Sequence, residues 1–287
     1  MKKSVFINPF VDRGFKILFG QESSKELLIE LINDLLEGEH HVEDLSYMDK
    51  EDPSETTDGR GTVFDLLCKD QDGTTFIVEL QNARQTYFYE RALYYLCRTI
   101  VSQGKKGESW EFELVPVYGI FLLNFRSGKT DKVRTDLVVA DRETGEQKSR
   151  NFREIFIEFP LFNKTEAECE IPLDYWLYNL KYMEQLEHLS FKGQKALFAR
   201  LEELARIANM NKKERAEYEA ALKIYRDNEN VVTTARREGI QIGEKRGLEK
   251  GRAEGILITA RLMKQNGISF EQIKLCTGLS DEEIENL

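Results

Sequence analysis

Histidine is nearly missing from this chain. Its 287 residues include three, two of them adjacent at His40 and His41. A zinc-binding HExxH helix, or Ser-His-Asp or Cys-His hydrolysis, has too few imidazoles to draw on. Cysteine is scarce too. Cys68, Cys97, Cys169 and Cys276 are far apart and form no CxxC, which fits buried thiols in a reducing compartment rather than disulfides or a zinc knuckle. No apolar run approaches the length that spans a bilayer. The opening MKKSVFINPFVDRGF is interrupted by Asn8, Pro9 and Asp12, and is too short and polar for a secretory leader. The expectation is a cytoplasmic protein with no membrane partner and no small-molecule cofactor.

What the chain does have is acid. With so few imidazoles and no CxxC, a metal site must be built from carboxylates, whose hard oxygens suit Mg2+ or Mn2+. The net charge of −10 argues against broad coating of DNA, yet leaves room for a local basic strip.

Proline marks the organisation. All five prolines lie at or before Pro172, and beyond it the chain reads as helix. Before it the pattern alternates. Phe15 to Leu36 carries apolar residues at Leu27, Leu28, Leu31, Ile32 and Leu35, a helical spacing with Ser23 or Ser24 as the starting cap. Strands are expected over Val42 to Tyr47, Val63 to Cys68 and Thr74 to Leu80, then a helix from Asn82 to Gln103. Leu114 to Phe125 reads as a strand buried on both faces. Further strands cover Thr135 to Ala140 and Ile155 to Phe159. The expected layout is an α/β domain over 1–165, a helical region over 166–235, and a glycine-periodic helix with a small helical cap over 236–287.

One stretch carries chemistry: TVFDLLCKDQDGTTFIVELQ, Thr62 to Gln81. Gln71-Asp72-Gly73 has the composition of a three-residue hairpin loop with glycine in the left-handed position. If Asp70 pairs with Thr74, counting back sets Asp65 opposite Glu79, with Cβ atoms about 4.5–5.5 Å apart. Strand periodicity puts Ile77, Glu79 and Gln81 on one face, and Phe76, Val78 and Leu80 on the other. Two readings stand at this point. The acids either share a cation, which removes their mutual repulsion, or lie solvated at strand ends. In the first, the Leu80 carbonyl is a candidate third ligand and Gln81 holds water or steadies a phosphate through its amide.

The Asp-x(13)-Glu-x-Gln hairpin resembles the core of the PD-(D/E)XK nuclease superfamily. More closely, the chain is similar to its recombination-promoting nuclease and putative transposase family. The matching stretches, in order, are DRGFKILFG (Asp12 to Gly20), FDLLCKDQDGTTFIVELQ, RALYYLCRTIVSQGKKGESW (Arg91 to Trp110), PVYGIFLLNF (Pro116 to Phe125) and the glycine-periodic tail. The resemblance implies a restriction-endonuclease-like mixed sheet core (αβββαβ), Mg2+ dependence and cleavage of DNA phosphodiesters, in a mobile-element, recombination or defence setting. It places Asp65 and Glu79 on the metal-ligand positions and Gln81 on the lysine position. Phe64 stands where the signature has proline, and Gln81 where it has lysine. A nuclease fold that binds without cutting is therefore the alternative. Asp12 is either an extra acid of the site or a helix N-cap. Glu30 is a weaker candidate of the same kind.

Arg84, Arg91, Arg98 and Lys105 recur every seven residues after the hairpin. On one helix they would line a single face, either tracking a phosphate backbone or simply solvated. Tyr87, Phe88, Tyr94 and Tyr95 on the neighbouring faces read as core rather than base-stacking platforms. In the tail, Gly239, Gly243, Gly247, Gly251 and Gly255 recur every fourth residue between charged neighbours. Each costs a helix about 1 kcal/mol relative to alanine. Either a partner packs on that smooth face, making a homo-oligomer through the C-terminal helices, or the segment is a tether. Ser269 with Gln272, and Ser280 with Glu283, mark the starts of two short closing helices.

Overall fold

A six-stranded mixed sheet with flanking helices forms the N-terminal part. The computed structural model describes residues 4–48, 51–52, 62–104 and 111–287. Its strands are β1 (Leu45–Tyr47), β2 (Glu51–Asp52), β3 (Thr62–Val63), β4 (Leu66–Asp70), β5 (Thr75–Gln81), β6 (Val117–Leu123), β7 (Arg134–Ala140) and β8 (Gln147–Glu158). The sheet order is β1-β4-β5-β6-β8-β7, while β2 and β3 pair separately. β5 and β6, and β6 and β8, pair in parallel; β1 and β4, β4 and β5, and β7 and β8 are antiparallel. The helices are α1 (Asp12–Phe19), α2 (Lys25–Leu36), α3 (Phe88–Val101), α4 (Pro172–Tyr182), α5 (Leu197–Ala205), α6 (Lys212–Gln265), α7 (Phe270–Thr277) and α8 (Asp281–Glu285). The chain divides into two units, Met1–Leu222 and Lys223–Leu287.

Parallel β5 and β6 need a crossover connection, and α3 supplies it. Phe88, Ala92 and Leu96 of α3 pack on Leu67, Ile77, Val117, Phe121 and Phe156 of the sheet. Gly119 makes that approach possible. A Cβ there would lie 2.7 Å from Leu96 and 2.6 Å from the Phe121 ring. Both β5 and β6 are apolar and buried on both faces, as central strands should be.

The first helical stretch is two helices, not one. A 3-10 turn at Glu22–Ser24 separates α1 from α2. Ser24 occupies the N-cap position of α2, but its hydroxyl donates back to the Gln21 carbonyl at 3.2 Å instead of capping. The predicted apolar stripe of α2 is buried throughout.

The helix expected from Asn82 begins only at Phe88. Asn82 is engaged as a brace: its amide donates to the Phe10 carbonyl at 2.5 Å and its oxygen accepts from Asn124 at 3.2 Å. Side-chain bonds of this kind compete with a helical start. Arg84 therefore lies in a loop, and the seven-residue repeat does not form one helix face. Lys105 lies outside the described residues.

In the C-terminal unit, the end of α6 packs with α7 and α8 through Ala260, Ile273 and Ile284. Ser269 accepts the Gln272 amide at 3.4 Å, and Ser280 with Glu283 completes a capping box. A Cβ added at any of the five tail glycines would meet nothing within 4 Å. Among the described residues no helix is long and apolar enough to cross a membrane.

Candidate metal centre

The hairpin has the register that its loop length predicts. Leu66 pairs with Val78, Leu67 with Ile77, Cys68 with Phe76 and Lys69 with Thr75. The Asp70 amide donates to the Thr74 carbonyl at 3.1 Å, closing the loop over Gln71, Asp72 and Gly73. Gly73 has φ +85°, the left-handed conformation that favours glycine. One step further along this register Asp65 faces Glu79. Asp65 bends away from the ladder, yet the two acids are cross-tied. The Asp65 amide donates to Glu79 Oε1 at 3.0 Å, and the Leu80 amide donates to Asp65 Oδ2 at 2.8 Å. Each carboxylate thus replaces a missing strand bond on the opposite arm.

Glu79 is 6 % exposed. Burial, with the nearby Asp65 charge adding to it, pushes its carboxyl up to about 8; the Asp65 amide, Arg91 and Lys16 pull the other way without cancelling the rise. At neutral pH such an acid keeps its proton unless a cation displaces it. The donor set consists of hard oxygens, and a divalent cation relieves both the burial and the repulsion. The residues present fit such an ion.

Two cations approach from different helices. Lys16, on α1, is half-buried and paired to Asp12 Oδ1 at 2.5 Å. Asp12 is the first residue of α1, not its N-cap; that position belongs to Val11. The Asp12 side chain is 61 % exposed and holds Lys16 one turn on. Lys16 was not singled out from sequence, although its spacing of four from Asp12 is visible there. Arg91, on α3, turns inward, and its Nη2 donates to Gln81 Oε1 at 2.9 Å. Gln81 Nε2 donates to the Ala83 carbonyl at 3.0 Å. The position of α1 rests on Gly14, where a Cβ would sit 2.2 Å from the Asn8 carbonyl oxygen. Asn8 is itself held by its amide bond to the buried Tyr218 hydroxyl at 2.8 Å. Asn82 ties the preceding Phe10 to the end of β5. Neither Gly14 nor Asn82 was singled out from sequence: Gly14 acts by a tight backbone approach to Asn8, and Asn82 through a bond to Phe10, 72 positions away.

A second group of potential ligands lies at the other end of the hairpin. His40, Asp70 and Asp72 have ligand atoms within 4.8 Å of one another. Asp70, however, is fully engaged. Oδ1 accepts the Asp72 and Thr74 amides at 2.9 and 2.8 Å, and Oδ2 meets His40 Nε2 at 2.5 Å. This is how an aspartate builds a turn, so Asp65 and Glu79 are the stronger candidates for a catalytic ion.

Of the other predicted residues, Arg84 is exposed in its loop. Arg98 bonds the Tyr94 hydroxyl at 3.3 Å and lies over its ring. Phe88 and Tyr95 pack into the core as expected, while Tyr87, just ahead of α3, and Tyr94 are exposed, contrary to the core reading. Glu30 pairs with Lys195, which also binds Asp34 at 2.6 Å, away from the hairpin acids.

A family model described as PD-(D/E)XK nuclease family transposase matches residues 9–235. The chain belongs to this family. The match covers α1, the hairpin, α3, the rest of the sheet and the first part of α6, so the family's nuclease-type fold and the acidic hairpin coincide. Searches of curated proteins and of solved structures gave no match.

Proposed function

We propose that the chain is a DNA endonuclease that hydrolyses phosphodiesters with Mg2+ or Mn2+, in mobile-element, recombination or defence chemistry. The observation that carries this reading is the cross-tied pair Asp65 and Glu79, a buried carboxylate and its neighbour at the end of a central strand. Asp65, Glu79 and the Leu80 carbonyl would hold the ion. The Leu80 amide faces Asp65, and a strand residue turns its N–H and C=O to the same side. When bound, the ion polarises a phosphate and lowers the pKa of a ligated water.

The protein's own residues do the rest. The amide ties fix both carboxylates before any ligand arrives, which favours a pre-organised site. Asp12 and Lys16 flank the centre from α1. Arg84, Arg98 and the exposed Tyr87 and Tyr94 provide a basic and aromatic approach for DNA. A second copy of the chain is the partner suited to the tail. Its glycines at every fourth position leave a smooth helix face on which a second helix can pack closely.

Plasmid nicking with Mg2+, comparing the wild-type chain with Glu79→Ala, tests the reading. Metal-dependent nicking by wild type and its loss in the variant are expected. Absence of cleavage by wild type, or equal cleavage by the variant, overturns it.

A further inference from the structure

Gln81 occupies the position where the nuclease signature has lysine, and its amide is engaged at both ends. Nε2 donates to the Ala83 carbonyl at 3.0 Å, and Oε1 accepts from Arg91 Nη2 at 2.9 Å. A side chain so held is a poor holder of water. It is a good holder of Arg91.

Arg91 is fixed from several directions. Nη1 donates to Gln85 Oε1 at 2.6 Å. The guanidinium carbon lies 5.1 Å from the Phe88 ring centre and 5.7 Å from that of Tyr95. Its Nε is buried with no hydrogen-bond partner. A buried donor left unmet is costly unless a ligand accepts from it. Gln81 lies two residues after Glu79 on the same face of β5, so its bond brings the guanidinium to the face that carries the acid. The cation on β5 in the signature is thus replaced here by one from α3, arriving through the β5 amide.

We propose that Arg91 is the phosphate-binding cation of the catalytic centre and that Gln81 is a positioning residue that aims it. This rests on the nuclease reading above. It takes Arg91 out of the outer DNA track and gives it the scissile phosphodiester. Arginine stays protonated, so it does not act as a base; its fork of donors suits phosphate oxygens and the charge that builds on them. Gln81 then need not activate water at all.

A double-mutant cycle in the full chain tests this: wild type, Gln81→Ala, Arg91→Ala and both, with Gln81→Lys in the Arg91→Ala background as rescue. Cleavage with Mg2+ gives kcat and KM; affinity for a DNA duplex without metal and Mn2+ affinity by calorimetry are measured alongside. Arg91→Ala is expected to lower kcat about 100-fold or more. Its metal-free DNA affinity and Mn2+ affinity should each stay within about threefold of wild type. The double variant should be no worse than Arg91→Ala, and Gln81→Lys should restore at least about tenfold. Arg91→Lys, which keeps the charge over the rings, guards against misfolding and is expected to retain intermediate activity. The proposal is overturned if Arg91→Ala keeps wild-type kcat, if its loss is confined to DNA affinity, if the two single losses multiply, or if the added lysine rescues nothing. Lys16→Ala abolishing turnover while Arg91→Ala does not would move the cation to α1. Failure of the nuclease reading looks different: wild type does not cut, or Glu79→Ala cuts equally well.

Discussion

The Asp65 amide donates to the Glu79 carboxylate at 3.0 Å while the Asp65 carboxylate accepts from the residue after Glu79 at 2.8 Å. Each arm of the hairpin therefore holds the other arm's acid in place. Loss of one acid should loosen its partner, so Asp65→Asn and Glu79→Gln are expected to weaken Mn2+ binding by more than a single lost ligand. Calorimetric titration of both variants and their double measures this; independent, additive losses would refute the mutual support.

Metal uptake should release a proton. Glu79 is raised to about 8 from an ordinary 4.5, so it is mostly protonated in the metal-free protein at pH 7. Titrating Mn2+ in two buffers of different ionisation heat should show about one proton displaced at pH 7, fading above pH 8. The same rise has a sign for stability. Between 4.5 and about 8 the folded state holds a proton that the unfolded chain lacks, so metal-free stability falls as pH rises through that window. Burial alone raises Glu154 to about 7, and that group acts in the same direction. A melting temperature that climbs from pH 5 to pH 8 without metal would contradict this.

Gly14→Ala should be destabilising by about 1–3 kcal/mol, because its Cβ has no room and α1 must shift. The clash is with the Asn8 carbonyl oxygen at 2.2 Å. Urea denaturation reads the loss. Activity should drop further than stability, since α1 also carries Asp12 and Lys16.

The acids at the two ends of the hairpin should separate cleanly. His40→Ala is expected to leave the metal requirement of cleavage unchanged. Asp70→Ala removes the acceptor of the Asp72 and Thr74 amides and should cost about 1–3 kcal/mol of stability. If His40→Ala instead raises the Mg2+ needed for cleavage, the turn is a metal site after all.

Association through the tail should depend on its smooth face. Gly243→Leu with Gly247→Leu is expected to yield monomers by sedimentation velocity where wild type dimerises. Dimers in a chain ending before Arg236 would exclude the tail as the interface.

The hairpin was legible because its code is local. Loop length and a glycine fix the register, and the period of two fixes the face, so Asp65 and Glu79 could be matched by counting. The start of α3 was not legible. Asn82 looks like an ordinary residue at the head of a helix, and only its bond to Phe10, 72 positions away, shows why the helix waits until Phe88. Arg84 and Arg91 share a repeat in the sequence but part company in space for that reason. Lys16 and Gly14 were hidden for a different reason: the ion pair to Asp12 and the close approach to Asn8 are local, but nothing in the residue pattern marks them as part of the site.

Gly73 lies at the far end of the hairpin from the acids, about six residues or ~20 Å along β5 from Glu79. Yet the three-residue turn that it closes decides which residue Glu79 faces. A chain with one residue added between Asp70 and Thr74 would keep every functional side chain, and its arms would still pair. Asp65 and Glu79 would no longer be opposed, and pairing shifted by one residue would put them on different faces of the sheet. Such an insertion would disarm the protein without touching a single reacting group.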